Sequence, residues 1–163
     1  MTAQQAICSH VDLTDMIMKA YLNDLNDADL MTRPGPGCNH LAWQLGHLIS
    51  SEQRLMDQLV PGSGIKLPEG FDEKHDKKQI ENNDPKQFYT KQEYVDLYKK
   101  SRQNVKDTVA KLSAEEFDKP APANWQKMFK TTGDMFNLIA SHSMMHAGQF
   151  AVARRQLGKP VVI

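Results

Sequence analysis

The chain has 163 residues, enough for one domain with a substantial buried core, and we expect a single domain over residues 1–163. Its 20 basic residues balance its 20 acidic ones, so no field of one sign would attract nucleic acid or an anionic membrane surface. No apolar run approaches the roughly 20 residues of a membrane-spanning helix, and neither a secretory signal nor a disulfide framework is evident, so we expect a cytoplasmic protein with free thiols.

The first half of the chain predicts two long helices. Residues 4–25 repeat apolar side chains at helical spacing, and the Pro-Gly-Pro-Gly run at 34–37 then forces a turn. A second helix is predicted over residues 39–59, with Asn39 as its N-cap.

Two histidines belong to the second predicted helix. His47 lies mid-helix between Leu45 and Leu48, so its side chain is expected to be at least partly buried. His40 lies in the first turn, where an exposed capping or loop role is more natural, and we interpret Cys38 and His40 as loop residues.

Residues 61–85 are rich in Gly, Pro, Lys, Asp and Asn and show no sustained apolar period. So long a connection is uncommon in a compact domain, and we interpret it as a crossover between two helical hairpins. Phe71 is its expected anchor, whereas His75, amid charged neighbours, is expected to be a solvated surface residue.

Two further long helices are predicted in the second half. Thr90-Lys-Gln-Glu93 has the pattern of a capping box and opens a helix that runs to about Leu112. An aromatic loop over residues 121–130 is expected to fold back against the bundle, and Thr131 can cap a last helix over residues 134–157. Four long helices with a long middle connection predict an all-α four-helix bundle with a crossover between helices 2 and 3.

The last helix carries two histidines on its inward stripe. His142 and His146 are one turn apart, so their rings can converge on a single atom, with Cβ atoms about 6 Å apart. A lone histidine would more often be a plain core residue. Two neutral imidazoles on one apolar stripe, however, need two sets of partners in a place that offers few, and their spacing is typical of metal ligands.

A metal site in a bundle takes ligands from facing helices, and His47 is the third candidate. Three neutral nitrogens, from His47, His142 and His146, would bind a divalent cation such as zinc and leave a fourth position open, as in catalytic sites. Nickel, cobalt and iron also accept imidazole, so ligand type alone does not choose the metal.

Few other residues suggest a catalytic role. The protease pattern His-Glu-x-x-His is absent, because no glutamate stands between the paired histidines. Glu52 could be a general base if it faced the cavity, although a charge in solvent or an ion pair is its commoner role, and Gln149 could orient a ligand. Arg154 and Arg155 could attract an anionic substrate or simply suit the helix C-terminus. The catalytic residues are therefore left unassigned.

The segments NHLAWQLGHLISSEQ, around His47, and SHSMMHAGQFAVARRQLGKP, around His142 and His146, resemble the DinB-like (DinB/YfiT-like) superfamily of four-helix bundles. The resemblance covers nearly the whole chain. It implies a divalent metal ion, commonly nickel or zinc, bound by these three histidines, and a homodimer. Characterised relatives include metal-dependent S-transferases and isomerases that use low-molecular-weight thiols such as bacillithiol or mycothiol, whereas most members have no assigned reaction.

Two functions of different classes fit these residues. One is a metal-dependent transferase of the thiol S-transferase type, or a hydrolase, in which the cation activates a thiol or water toward a small-molecule substrate. The other is a non-catalytic, stress-related bundle that binds a metal ion or forms a dimer. A channel that reaches the histidines and carries polar groups would favour the enzyme.

Overall fold

The computed structural model of the chain describes residues 1–160 and Val162. Residues 161 and 163 of the predicted domain lie outside the described residues. Within that described part the structure has six α-helices and no strand. The helices are α1 (Ala3–Leu22), α2 (Leu41–Leu59), α3 (Phe71–Lys74), α4 (Lys91–Val109), α5 (Ala114–Asp118) and α6 (Thr132–Gln156).

The four long helices, α1, α2, α4 and α6, form the predicted all-α four-helix bundle, and the crossover between α2 and α4 is confirmed. Helix α6 packs against α1 and α2, and α4 packs against the same two helices, so α1 and α2 lie diagonally opposite each other. None of the helices in the described part of the chain is long and apolar enough to cross a membrane.

The helices begin and end where capping side chains and backbone turns place them, and not where the apolar repeat in the sequence stops. Helix α1 ends at Leu22 rather than near Leu25, because the Leu25 N–H donates to the Leu22 carbonyl in a tight turn at 3.2 Å. Helix α4 likewise ends at Val109 rather than Leu112, where the Leu112 N–H turns back to the Val109 carbonyl at 3.2 Å. The capping box predicted at Thr90 and the cap predicted at Thr131 are both present.

The N-cap of α2 is His40, and the prediction of Asn39 is wrong. The Nδ1 atom of His40 accepts a hydrogen bond from the Trp43 N–H at 3.0 Å, which is the role of a capping side chain. Its Nε2 atom donates to the Asn82 carbonyl of the crossover at 3.1 Å. The expected capping role is therefore present, but the side chain is buried rather than exposed, because both ring nitrogens have partners inside the protein.

The crossover, residues 60–90, is attached to the bundle by buried rings. Phe71 is fully buried, as predicted, but His75 is also buried, so its expected place in solvent is wrong. Its Nδ1–H donates to the Phe71 carbonyl and its Nε2 accepts from the Tyr94 hydroxyl, both at 2.7 Å. A β-carbon at position 46 would lie 2.0 Å from His75 Cδ2, so glycine at that position lets the crossover approach α2 closely.

A layer of buried charge lies between two clusters of buried apolar side chains in the bundle. The guanidinium of Arg102 on α4 donates to Asp15 and Thr14 of α1 at 3.0 and 2.8 Å. It also donates to Glu52 of α2 and to the backbone carbonyls of Ile139 and Ala140 of α6. All five N–H donors of this side chain therefore have acceptors, and one residue joins the four long helices.

We expect Arg102→Met to lower the free energy of unfolding by about 3–5 kcal/mol, because it leaves the buried carboxylates without their cation. Arg102→Lys should lose less, since it keeps the charge but not the planar fork. Urea unfolding followed by circular dichroism measures both effects. Lys99→Met, an exposed change on the same helix, is the matched control and should shift stability by less than about 0.5 kcal/mol. Equal stability of the Lys99 and Arg102 variants would contradict the role of this layer.

His40 should make the stability of the metal-free protein depend on pH. Burial and the nearby Arg33 charge lower the pKa of His40 from 6.5 to about 4. The unfolded chain therefore binds a proton between these values that the folded chain does not, so stability falls as the pH drops from about 6.5 to about 4.

His40→Asn keeps a side chain that can accept the capping hydrogen bond. We expect its free energy of unfolding to depend less steeply on pH in this window than that of the wild-type chain, by up to about 1.4 kcal/mol per pH unit. The measurement is urea unfolding at successive pH values, and comparing the two proteins isolates His40 from the other titrating groups. Parallel curves would show that His40 does not titrate in this way.

Candidate metal centre

The structure brings together the three histidines singled out in the sequence. His47 comes from the middle of α2, and His142 and His146 come from successive turns of α6. The ring nitrogens that could serve as ligands all lie within 4.8 Å of one another. The ring centroids are 5.0 Å apart for the pair on α6 and 5.3 and 5.5 Å from His47 to His142 and His146. Three imidazoles from two facing helices could therefore hold one metal ion.

The proton on His146 is fixed by Gln44, a residue that the sequence analysis missed. The Gln44 side-chain amide donates to the Asn39 carbonyl at 2.7 Å, so its oxygen points the other way and accepts from His146 Nδ1 at 2.9 Å. The Nδ1 atom therefore carries the proton, and the lone pair of Nε2 is left free for a ligand. Gln44 lies three residues before His47 on the same helical face, which is the signal that could have identified it.

The ring of His47 is held by Trp43. The two rings are stacked, with centroids 4.8 Å apart and planes 7° from parallel. The indole N–H of Trp43 donates to the Asp76 carbonyl of the crossover at 3.1 Å. The orientation of His47 therefore depends on α2 and also on how the crossover lies across it.

All three rings are neutral near physiological pH. Burial, followed by the effect of His142, lowers the pKa of His47 to about 4 and that of His146 to about 3. Burial and the charge of Arg102 also lower the pKa of His142. Because protons compete poorly for these nitrogens, their lone pairs are available to a cation.

Two clefts of about 480 Å³ each lead from the surface to this cluster. The first, here called the aromatic cleft, is lined by His47, His142, Arg54, Trp125, Phe129 and Leu138 among others. The second, here called the crossover cleft, is lined by His47, Ser50, Arg54, Asp72, His75 and Lys77 among others. A small molecule can therefore approach His47 from two sides.

The other residues considered in the sequence lie elsewhere. Glu52 is buried in the ion pair with Arg102, so the role of general base facing the cavity is wrong and the ion pair is confirmed. Gln149 is partly buried, but the hydrogen bond to a cluster histidine comes from Gln44. Arg154 is buried and pairs with Asp24, which removes it as an attractor of substrate, whereas Arg155 is exposed.

Comparison with known proteins agrees with this architecture. The sequence matches the family model of the DinB superfamily over residues 10–150. No curated protein matches it significantly. Among solved structures it is similar to YfiT from Bacillus subtilis, described as a probable metal-dependent hydrolase with an unusual four-helix bundle topology. The TM-score is 0.66 at 16% sequence identity, covering 96% of this chain and 89% of YfiT, a likeness that shows the fold.

We expect Gln44→Leu to weaken the binding of zinc by roughly 10–100-fold, because the His146 ring loses the acceptor that fixes its proton and its orientation. Isothermal titration of the metal-free protein measures the affinity. Gln149→Leu is the matched control, since it removes an amide near His146 that makes no such bond, and its affinity should be unchanged. Equal losses in the two variants would show that Gln44 does not position the ring.

Proposed function

Because this chain belongs to the DinB superfamily and brings three imidazoles together at one point, we propose that His47, His142 and His146 bind one divalent metal ion and that the protein is a metal-dependent enzyme. The observation that carries this proposal is the mutual distance of three ring nitrogens, one from each histidine, which all lie within 4.8 Å of one another. Three histidines with an open position are the donor set of catalytic rather than structural zinc sites.

The surroundings of the histidines support a metal rather than a plain polar core. Burial keeps the three rings neutral, and Gln44 leaves the His146 Nε2 lone pair without a proton. A core histidine whose function is a hydrogen bond would have both nitrogens satisfied, as His75 does with Phe71 and Tyr94. The cluster differs because each of its three histidines directs one ring nitrogen toward the other two, within 4.8 Å.

Zinc and nickel are the proposed metal ions. Both accept neutral imidazole. The affinity of a nitrogen site for divalent metals follows the same general order in most proteins, so three histidines do not by themselves select one of the two ions. Elemental analysis of protein purified without added metal identifies the ion.

The proposed reaction is transfer of a low-molecular-weight thiol to a small electrophile. A bound divalent cation supplies Lewis acidity, which lowers the pKa of a coordinated thiol or water. A thiol needs less help from a general base than water does, and Glu52 is already engaged by Arg102. The chain's own part is to orient the rings through Gln44 and Trp43 and to admit the reactants through the two clefts.

Hydrolysis is the second candidate, and one observation favours it. Asp72 lines the crossover cleft with His47 and could accept a proton from an attacking water molecule. YfiT, which shares the fold, is described as a probable metal-dependent hydrolase. Ser50 donates a hydrogen bond to this carboxylate, which holds it in place.

A non-catalytic metal-binding bundle is the alternative of a different class. In that case chelation should lower the melting temperature while no substrate is turned over. The homodimer implied by the family resemblance stays a prediction, and light scattering of the purified chain measures it.

We expect the wild-type chain to hold one metal ion and His146→Ala to hold much less, because one of three ligands is removed. Mass-spectrometric elemental analysis after gel filtration measures the metal content. His10→Ala, on α1 away from the cluster, is the control and should keep its metal ion.

Catalysis is tested with cysteine as the thiol and chlorodinitrobenzene as the electrophile, where a carbon–sulfur bond forms and chloride leaves. The rate of thiol transfer should be lower in the His146 variant, in proportion to its lower metal content. In the wild-type protein the rate should be lost on chelation and restored when zinc is added back. Metal loss without any change in the rates of thiol transfer and ester hydrolysis would contradict an enzymatic role for the site.

A further inference from the structure

The aromatic cleft offers an apolar group a place beside the histidines. Its walls include Leu55, Trp125, Phe129 and Leu138, and His142 lines the same space. A volume of about 480 Å³ lies in the range of small-molecule binding sites. The lining residues come from α2, α6, the crossover and the loop between α5 and α6, so the cleft is a product of the fold and not of one segment.

Trp125 is fixed in this cleft by contacts within the protein. Its indole N–H donates to Gln58 Oε1 on α2 at 3.0 Å, and its ring lies near that of Phe129 with centroids 6.0 Å apart. The Phe129 N–H donates to the Trp125 carbonyl at 3.0 Å and closes a turn. A rigid aromatic surface loses little conformational entropy on binding, which suits it to a flat apolar group.

Two methionines add exposed apolar surface to the same cleft. Met128 is 73% exposed and Met145 is 66% exposed, although both line the cleft. Large apolar side chains grouped in the open around a concave surface mark binding sites, and methionine adapts its shape to what it contacts.

The charges of the lining distinguish the two clefts. Arg54 and Lys77 line the aromatic cleft, and among the described residues neither forms an ion pair. The crossover cleft shares these two cations and adds a third, Lys78, but it also adds the carboxylates of Asp72, Glu73 and Asp76, so its charged side chains sum to zero. An anionic group is therefore attracted more strongly to the aromatic cleft.

We propose that the aromatic cleft binds the substrate, and that this substrate is a small anion with an aromatic arm. The arm lies against Trp125 and Phe129, and the anionic group lies near Arg54 and Lys77. The reacting end then faces His47 and His142. That the bound molecule is a substrate rests on the proposed function. That the cleft binds such a molecule does not depend on the proposed function.

Fluorescence titration of the zinc-loaded full chain with anilinonaphthalene sulfonate, an aromatic anion, tests the proposal. Trp125→Ala should weaken binding roughly tenfold or more, because the largest apolar contact is lost. Arg54→Gln should weaken binding of this anion several-fold and leave binding of the neutral phenylnaphthylamine unchanged, because the two probes differ in the sulfonate.

Met128→Glu is the variant least able to disturb the fold, since the side chain is largely exposed, and it should also weaken binding of the anion. Met16→Glu is its matched control, because Met16 is 56% exposed on α1 and lies outside the cleft. The proposal would be overturned if the Met128 and Met16 variants bound the anion with equal affinity. It would also be overturned if Arg54→Gln weakened binding of the anionic and the neutral probe equally.

Zinc content, measured on every variant, separates this inference from the proposed function. If the variants keep their zinc and bind the anion as wild type does, the cleft assignment fails while the metal site stands. If the wild-type chain takes up no zinc when zinc is added but still binds the anion as described, the cleft assignment stands and the proposed function fails.

Discussion

The guanidinium of Arg102 is the contact on which the arrangement of the bundle depends. It is fully buried, and its five donors are used on α1, α2 and α6 at once. A buried charge is costly unless every donor is satisfied, so a shift of any helix along its axis would leave donors or carboxylates without partners. Apolar contacts tolerate such shifts more readily, because they are not directional. The charged layer therefore fixes the register of the helices more strictly than the apolar clusters on either side of it.

That register determines where the histidines meet. Glu52, the acceptor on α2, lies five residues after His47, and the Ile139 carbonyl on α6 lies three residues before His142. Fixing Glu52 and Ile139 against one guanidinium thus sets the heights of His47 and His142 relative to each other. The charged layer and the histidine cluster are neighbouring parts of one arrangement, and Arg102 is close enough to lower the pKa of His142.

The sequence predicted the repeating features of the fold and left out the pairings between distant residues. The four helices, the crossover and the convergence of His47 with His142 and His146 follow from apolar period, capping boxes and histidine spacing. His75 was placed wrongly, because its charged neighbours in the chain point to solvent while its ring fits against Gly46, a residue 29 positions earlier. Glu52 was open to two interpretations, since its partner Arg102 lies 50 residues away. Gln44 was identifiable from its helical spacing. The aromatic cleft was not, because it joins residues of four separate segments.

The positions of the two tryptophans have an optical consequence. Trp43 is stacked on His47, one of the cluster histidines, and Trp125 stands in the wall of the aromatic cleft. A paramagnetic ion such as nickel quenches the emission of an indole close to it, whereas zinc, with a closed d shell, does not. The chain thus contains two indole fluorophores, one that would sense occupation of the histidines and one that would sense occupation of the cleft. Their emission could follow both events in solution without any attached dye.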